Sequence, residues 1–559
     1  MARRPNFRTP AHGSLGALAL ILALARASFA APPTLDHLFP AGAARGTSVE
    51  VTAAGKFDRW PARGWASSPG LRIEAGAEKG KLRVDVAADA APGVHWVRLV
   101  DDEGATAPRP FVVGILPELA ESEPNDEPKG AQRIDRPAVT VNGRLAKTGD
   151  VDGFAVRLRR GQTLVASMEA HRRLGSPMDG VLQVATPDGF VLAHVDDDND
   201  RDPRLVFEAP ADGDYVVRAF AFPFVQTSTI RFAGAASYVY RLTLTTGGFV
   251  DHAFPPVVSR SGPGSVEVMG WNIPEAARRL EVEPSGDSEA DDADGPVRLE
   301  HPLLGNLAEV RVVAGPAIVE AEPDDARHPQ PITLPVAIAG RLDPPRDVDG
   351  FAFAATKGQR VGFRLESRSL GLPPDAVLRV ADASGASLAE VDDAQGGFDP
   401  EIRFTAPADG TYTLTVRDLN GRGGPRHAYL LTAGNPPPDF ALTLKADQFA
   451  LAAGKPTEVV IAVDRREGYA EAIEVGLADR FDGVIAAPVT SHPSGPSARS
   501  VTLKLIPCEC ARTGPIRVVG VAADGRRRVA RAAVAGLSET IDSAWLATPK
   551  PDPPAAKPK

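Results

Sequence analysis

Oxygen-bearing side chains crowd two short stretches of this 559-residue chain. The first reads Glu121-Ser122-Glu123-Pro124-Asn125-Asp126, and about two dozen residues later comes Gly149-Asp150-Val151-Asp152-Gly153-Phe154. Calcium takes six to eight oxygen ligands at roughly 2.3–2.6 Å and tolerates irregular geometry. Glu121, Glu123 and Asn125 alternate, so in an extended segment their side chains project to one side, and Pro124 stiffens such a segment. Asp150 and Asp152 alternate likewise. If the leading segment lies across the strand start, carboxylates and one amide oxygen converge on a single ion; without a cation they repel one another. The alternative is a solvated acidic linker that orders no metal.

The arrangement returns about 197 residues downstream as Glu320-Ala321-Glu322-Pro323-Asp324-Asp325 and Asp347-Val348-Asp349-Gly350-Phe351. Self-similarity at a long fixed offset marks repeated modules. Each acidic cluster heads a run of short alternating segments, such as Phe154 to Leu158, Val181 to Val184 and Tyr215 to Arg218, separated by Pro-Asp-Gly and Ala-Asp-Gly turns. Period-two alternation with turns every eight to twelve residues or so predicts antiparallel β-sandwiches. A second acidic run, Asp196 to Asp200, has a much poorer counterpart at Asp392 to Gln395 and reads as a solvated hairpin loop.

Another pattern frames these modules. Leu35-Asp36-His37-Leu38-Phe39-Pro40, followed by Ser48-Val49-Glu50-Val51, returns as Val250-Asp251-His252-Ala253-Phe254-Pro255 and Ser265-Val266-Glu267-Val268. The two histidines have no second ligand in view and read as structural. The pattern predicts an all-β, multi-domain string of tandem sandwiches: signal peptide 1–30, framing β-sandwich 31–117, acidic module 118–247, framing β-domain 248–318, acidic module 319–434, a C-terminal β-domain 435–540 read as a third sandwich of the framing kind, and a Pro/Ala/Lys tail 541–559 expected to be disordered. Asn435 to Pro438 reads as a linker and Pro284 to Pro296 as an acidic surface loop.

The Glu-x-Glu-Pro-(Asn/Asp)-Asp lead, the Asp-Val-Asp-Gly-Phe strand start, the Gly-Gln turns at Gly161 and Gly358, and the Ala-Pro-Ala-Asp-Gly-x-Tyr hairpins ending at Tyr215 and Tyr412 occur twice in the same order. Together they resemble the bacterial pre-peptidase C-terminal (PPC) domain, a jelly-roll-like sandwich found beside secreted proteases and related to clostridial collagenase collagen-binding domains. The framing units resemble IPT/TIG-type immunoglobulin-like domains, and by that resemblance the C-terminal β-domain reads as a third Ig-like sandwich. The resemblance implies one calcium per acidic module. It places the ligands on Glu121, Glu123, Asn125, Asp126 and Asp152, with Asp150 beside them, and on Glu320, Glu322, Asp324, Asp325 and Asp349, with Asp347 beside them.

Positive Arg3, Arg4 and Arg8, an apolar run from Leu15 to Ala25, and Ser28-Phe29-Ala30 fit an export signal too short to span a bilayer. The mature chain is expected to be secreted, extracellular or periplasmic, and not membrane-spanning. A net charge of −10 with no concentrated basic face argues against nucleic acid as a partner. Cys508 and Cys510 are too few for a zinc cage and read as a strand-end pair, with or without a bond. No His-Glu-x-x-His or Gly-x-Ser-x-Gly occurs, and the β-modules leave no block for a hydrolase domain. The expectation is a non-catalytic protein that binds extracellular protein or polysaccharide. An accessory or regulatory partner of an exported protease is one alternative, and a cryptic hydrolase the other. If the leader is read correctly, intact-mass analysis of the exported protein should give a chain beginning at Ala31.

Overall fold

The computed structural model describes residues 32–198, 201–223, 231–262, 264–283, 296–394, 397–435, 437–451, 455–508 and 511–548. The leader, nearly all of the 284–296 stretch, Cys510 and residues 549–559 lie outside them. Cys508 is disulfide-bonded. The architecture is all-β, with successive sandwiches, and among the described residues no helix is long and apolar enough to cross a membrane.

Each acidic module is a pair of five-stranded sheets. In the first module, one sheet runs in the order Glu118–Ala120, Ala138–Arg144, Val239–Thr245, Thr163–Glu169, Arg204–Glu208. The other runs Gln132–Ile134, Asp152–Leu158, Gly213–Pro223, Met178–Ala185, Val191–Val195. The second module repeats both orders from Ala317–Val319 to Ser387–Val391. Alternation dictates the packing: Phe154, Val156 and Leu158 face inward against Val139, Val141 and Leu242 of the opposite sheet. Burying each such side chain contributes roughly 1.5–3 kcal/mol.

The framing units at 31–117 and 248–318 are smaller sandwiches. They share a bulge in their first strands, between Leu35 and His37 and between Val250 and His252, opposite Ser48–Lys56 and Gly264–Trp271. Each hands over to its module by the same contact, in which the guanidinium of Arg144 lies 4.6 Å from the Phe39 ring centroid and that of Arg341 lies 4.1 Å from that of Phe254. The last unit departs from the expected boundary. Ala544–Ala547 is a buried strand paired with Gln448–Ala450, so residues expected in a disordered tail complete the final domain. Trp545 and Leu546, at its centre, are the large apolar side chains that an unfolded tail would lack.

The second framing unit carries a charged junction to both modules. Asp251, on the Phe249–Phe254 strand, accepts from Arg204 Nη2 of the first module at 2.9 Å and from Arg426 Nε of the second at 2.8 Å, with His252 Nδ1 at 3.0 Å. Both guanidiniums also lie over the Trp271 ring. Asp198 joins them, 2.6 Å from Arg204 and 3.5 Å from Arg426. This corrects the reading of Asp196 to Asp200 as solvated charge, since Asp198 is drawn in by two cations from separate domains; Asp200 lies outside the described residues. Burial alone would raise the Asp251 pKa, but hydrogen bonds from His252 and Arg426 and the charge of Arg204 outweigh it and hold the carboxyl well below the usual range. A depressed carboxylate pKa contributes stability above the unfolded-state value and loses it as the pH falls toward the folded value. Acidification below the ordinary carboxylate range should therefore loosen this junction. Asp251→Ala should cost about 3 kcal/mol, the low end for breaking a buried pair because Arg426 keeps solvent access, and a calorimetric scan should register it as an earlier first transition.

Candidate metal centre

The leading acidic segment bridges the two sheets across one end of each sandwich. In the first module the chain leaves the Glu118–Ala120 strand, parallel to Ala138–Arg144, and enters Gln132–Ile134, parallel to Asp152–Leu158. Residues 121–125 form no strand, and the peptide bonds before Pro124 and Pro323 are cis. The segment nevertheless crosses the strand start as expected. The Gly153 amide donates to the Asn125 carbonyl at 3.1 Å, and that of Gly350 donates to the Asp324 carbonyl. A Cβ on Gly153 would stand 2.8 Å from the Asn125 oxygen, and one on Gly350 2.6 Å from the Asp325 oxygen. This close approach explains the glycine in Asp-Val-Asp-Gly-Phe, while Phe154 and Phe351 anchor the motif in the core.

Carboxylates converge where expected. Oxygens of Glu123, Asp150 and Asp152 lie within 4.8 Å of one another; in the second module the same holds for Glu320, Asp324 and Asp349, and for Glu322, Asp347 and Asp349. Asp150 and Asp347, the two whose alignment the resemblance left beside the ligand set, thus belong to the clusters. Glu121 stands beside the first, its charge among those that raise Asp152. Asn125, Asp150, Asp152, Asp324 and Asp349 are fully buried. Yet Asn125 Oδ1, Asp152 Oδ1, both Asp324 oxygens and Asp349 Oδ1 have no hydrogen-bond partner, and Asp150 Oδ1 has only the Lys147 ammonium at 3.5 Å. Buried polar oxygens are nearly always satisfied, so orphans within groups of converging carboxylates fit a bound oxophilic cation.

Two of the expected ligands turn elsewhere. Asp325 is exposed and accepts from the Arg327 and His328 amides, capping its own turn. Asp126 faces Lys147 Nζ at 3.5 Å and the Val151 amide at 3.4 Å. Neither is among the converging oxygens of its cluster.

Tyrosine completes the geometry. Tyr240 and Tyr429 are fully buried, and each hydroxyl donates at 2.5 Å to the inner aspartate, Asp152 or Asp349. They reach it from the opposite sheet, across Gly143 and Gly340, their direct antiparallel partners. A Cβ at either glycine would overlap the phenol. The residue after each glycine serves both the site and the preceding domain: the Arg144 amide donates to Glu121 at 2.8 Å and the Arg341 amide to Glu320 at 2.6 Å, while their guanidiniums lie over Phe39 and Phe254. A signal for these partners exists in Gly143-Arg144-Leu145 and Gly340-Arg341-Leu342, which share the 197-residue offset of the aspartates.

The electrostatics report unneutralised charge. Burial and the charge of Glu121 push Asp152 above the usual carboxylate range, against the pull of Tyr240. Asp349 is raised likewise by burial and Glu320. Burial and Glu322 push Asp324 up to about 7. The buried tyrosines beside these carboxylates are held as neutral phenols.

The chain can be set beside known proteins on this geometry. It is 36% identical over 128 residues to a probable subtilase-type serine protease of Deinococcus radiodurans, which covers 21% of this chain and 17% of that protein. The chain thus matches about a sixth of that relative's length. Among solved structures, the pre-peptidase C-terminal domain of a collagenase from Bacillus anthracis aligns with 19% identity over 18% of this chain and 91% of its own, with a TM-score of 0.16. The fibronectin(III)-like modules of Clostridium thermocellum CbhA align with 12% identity over 35% of this chain and 93% of theirs, with a TM-score of 0.13. Residues 347–418, which open on the second cluster's Asp347 and Asp349, match the family model of the bacterial pre-peptidase C-terminal domain.

Proposed function

We propose that this chain is a secreted, non-catalytic binding or scaffold protein. Both of its acidic modules are PPC domains that hold one calcium ion each, and IPT/TIG-type sandwiches frame them. The observation that carries the reading is the pair of carboxylate clusters that contain buried, unpartnered oxygens. Carboxylate and amide oxygens without nitrogen or sulfur donors select a hard cation, and irregular placement around a chain crossing suits calcium better than magnesium. Glu121, Glu123, Asn125, Asp150 and Asp152 would hold the first ion, and Glu320, Glu322, Asp324, Asp347 and Asp349 the second. The identical strand orders, the paired tyrosines and the repeated Arg-over-Phe contacts support two copies of one functional unit.

The ion neutralises the cluster and fixes the leading segment across the end of the sandwich. Its effect is mechanical. The segment that bears Glu121 also connects the framing domain to the module, so occupancy sets how one sandwich hangs from the next. The partners are extracellular protein or polysaccharide, which the fixed domains present themselves to as a surface.

A second reading makes the chain an accessory of an exported protease. It rests on the name of the Deinococcus relative and on the pre-peptidase family matched at residues 347–418. Pull-down from a secretome distinguishes the two: one dominant protease supports the accessory role, and retention on washed cell wall or matrix supports the scaffold.

Calorimetric titration of the full chain with calcium should give two sites, falling to one in Asp152→Ala and in Asp349→Ala. At ten times the dissociation constant each ion adds roughly 1.4 kcal/mol, so chelation should lower the melting temperature and speed proteolytic nicking near Glu121 and Glu320. Equal melting in chelator and in calcium would reject the metal. Gly143→Ala and Gly340→Ala should each drive a phenol off its aspartate, costing about 1–3 kcal/mol by overpacking and weakening calcium at that module alone, which the same titration reads.

A further inference from the structure

Arg98, on the Gly93–Asp101 strand of the first β-domain, is 1% exposed. A guanidinium is not withdrawn from water without partners. Its Nη1 donates to the Thr106 carbonyl at 2.7 Å, within its own domain. Its charge is met by Asp447, which belongs to the last domain, with Nη1 2.9 Å from Oδ2. Nη2 also donates to the Asp447 carbonyl at 3.3 Å.

Apolar contacts surround this pair. Trp65 and Trp545 meet edge to face, with centroids 5.6 Å apart and rings inclined at 73°. Trp545 is 2% exposed and packs with Val100 and Ala105 of the first domain. Trp96 packs against the core of the last domain. Three of the chain's five tryptophans thus stand at one contact between domains far apart in sequence. Contacts between domains of a chain are usually polar and permit motion. Desolvated tryptophan and arginine, by contrast, are the composition of interface hot spots.

We infer that the last β-domain is a latch on the first, closing the described units into one body through the Arg98–Asp447 pair and the Trp65–Trp545 contact. The occupant of the first domain's apolar face is therefore the chain's own C-terminal β-unit. The latch also reaches the first acidic module, where Leu537 lies against Gly175. It does not depend on calcium, because none of its groups belongs to either cluster.

The test uses the full chain with a specific protease site introduced between Gly434 and Pro438. After cutting, the two pieces are expected to elute together at full mass, and small-angle scattering of the uncut chain should give one compact particle. Trp65→Ala combined with Asp447→Ala should let the cut pieces separate and should shift tryptophan emission to the red. Both residues are partly exposed, so their replacement spares the two cores. Separation of the cut parent chain at micromolar concentration, or an extended scattering profile of the uncut chain, overturns the latch. Co-elution of the cut double variant, as tight as that of the parent, overturns the assignment to these residues. Trp545→Phe provides a milder variant, expected to weaken association of the cut pieces at least several-fold; no change would count against the aromatic contact.

Discussion

Burial of like charge at the end of a sandwich is the constraint from which the rest of each acidic module follows. A carboxylate withdrawn from water among other carboxylates is unfavourable in any arrangement that leaves it unneutralised. The fold accommodates Asp152 and Asp349 with one tyrosine each, brought from the opposite sheet, and leaves the other oxygen of each without a hydrogen-bond partner. The glycine opposite each tyrosine, the glycine under the crossing segment and the phenylalanine that sinks the strand into the core all serve that placement. A site of this kind does not need a dedicated domain. It needs a sandwich whose two edge strands are joined by a chain that crosses its open end.

Much of this was legible because β-structure writes its geometry into the sequence at period two. The alternating runs located the strands, and the repeat located the modules. The Asp-Val-Asp-Gly-Phe motif announced the aspartates, whereas the reason for its glycine lies in the chain that crosses it. The tyrosines were not legible from the clusters, since Tyr240 stands 88 residues from Asp152 in sequence and is a cross-sheet partner whose pairing no local pattern reports. The Gly-Arg-Leu repeat carried the information in another place. Asp126 and Asp325 sit beside buried cluster residues, yet their oxygens meet Lys147 and the Arg327 and His328 amides, contacts that no local pattern reports.

Boundaries were harder to read than elements. The last strand, Ala544–Ala547, is four residues long and adjoins a Pro-rich stretch, so composition assigned it to the tail. Its burial depends on a strand nearly a hundred residues earlier and on a tryptophan of another domain. Asp198 shows the same limit, because a charge run resembles a solvated loop until cations from two domains are placed beside it.

The junction at Asp251 bears on how such a chain can change over time. Copies of a framing unit and its module are in principle interchangeable beads, and a gene encoding them could gain or lose one with little harm. Once a single aspartate is shared by an arginine of the preceding module and an arginine of the following one, the beads are no longer equivalent. Removing the module on either side would take one arginine from Asp251, so this junction ties the two modules to each other.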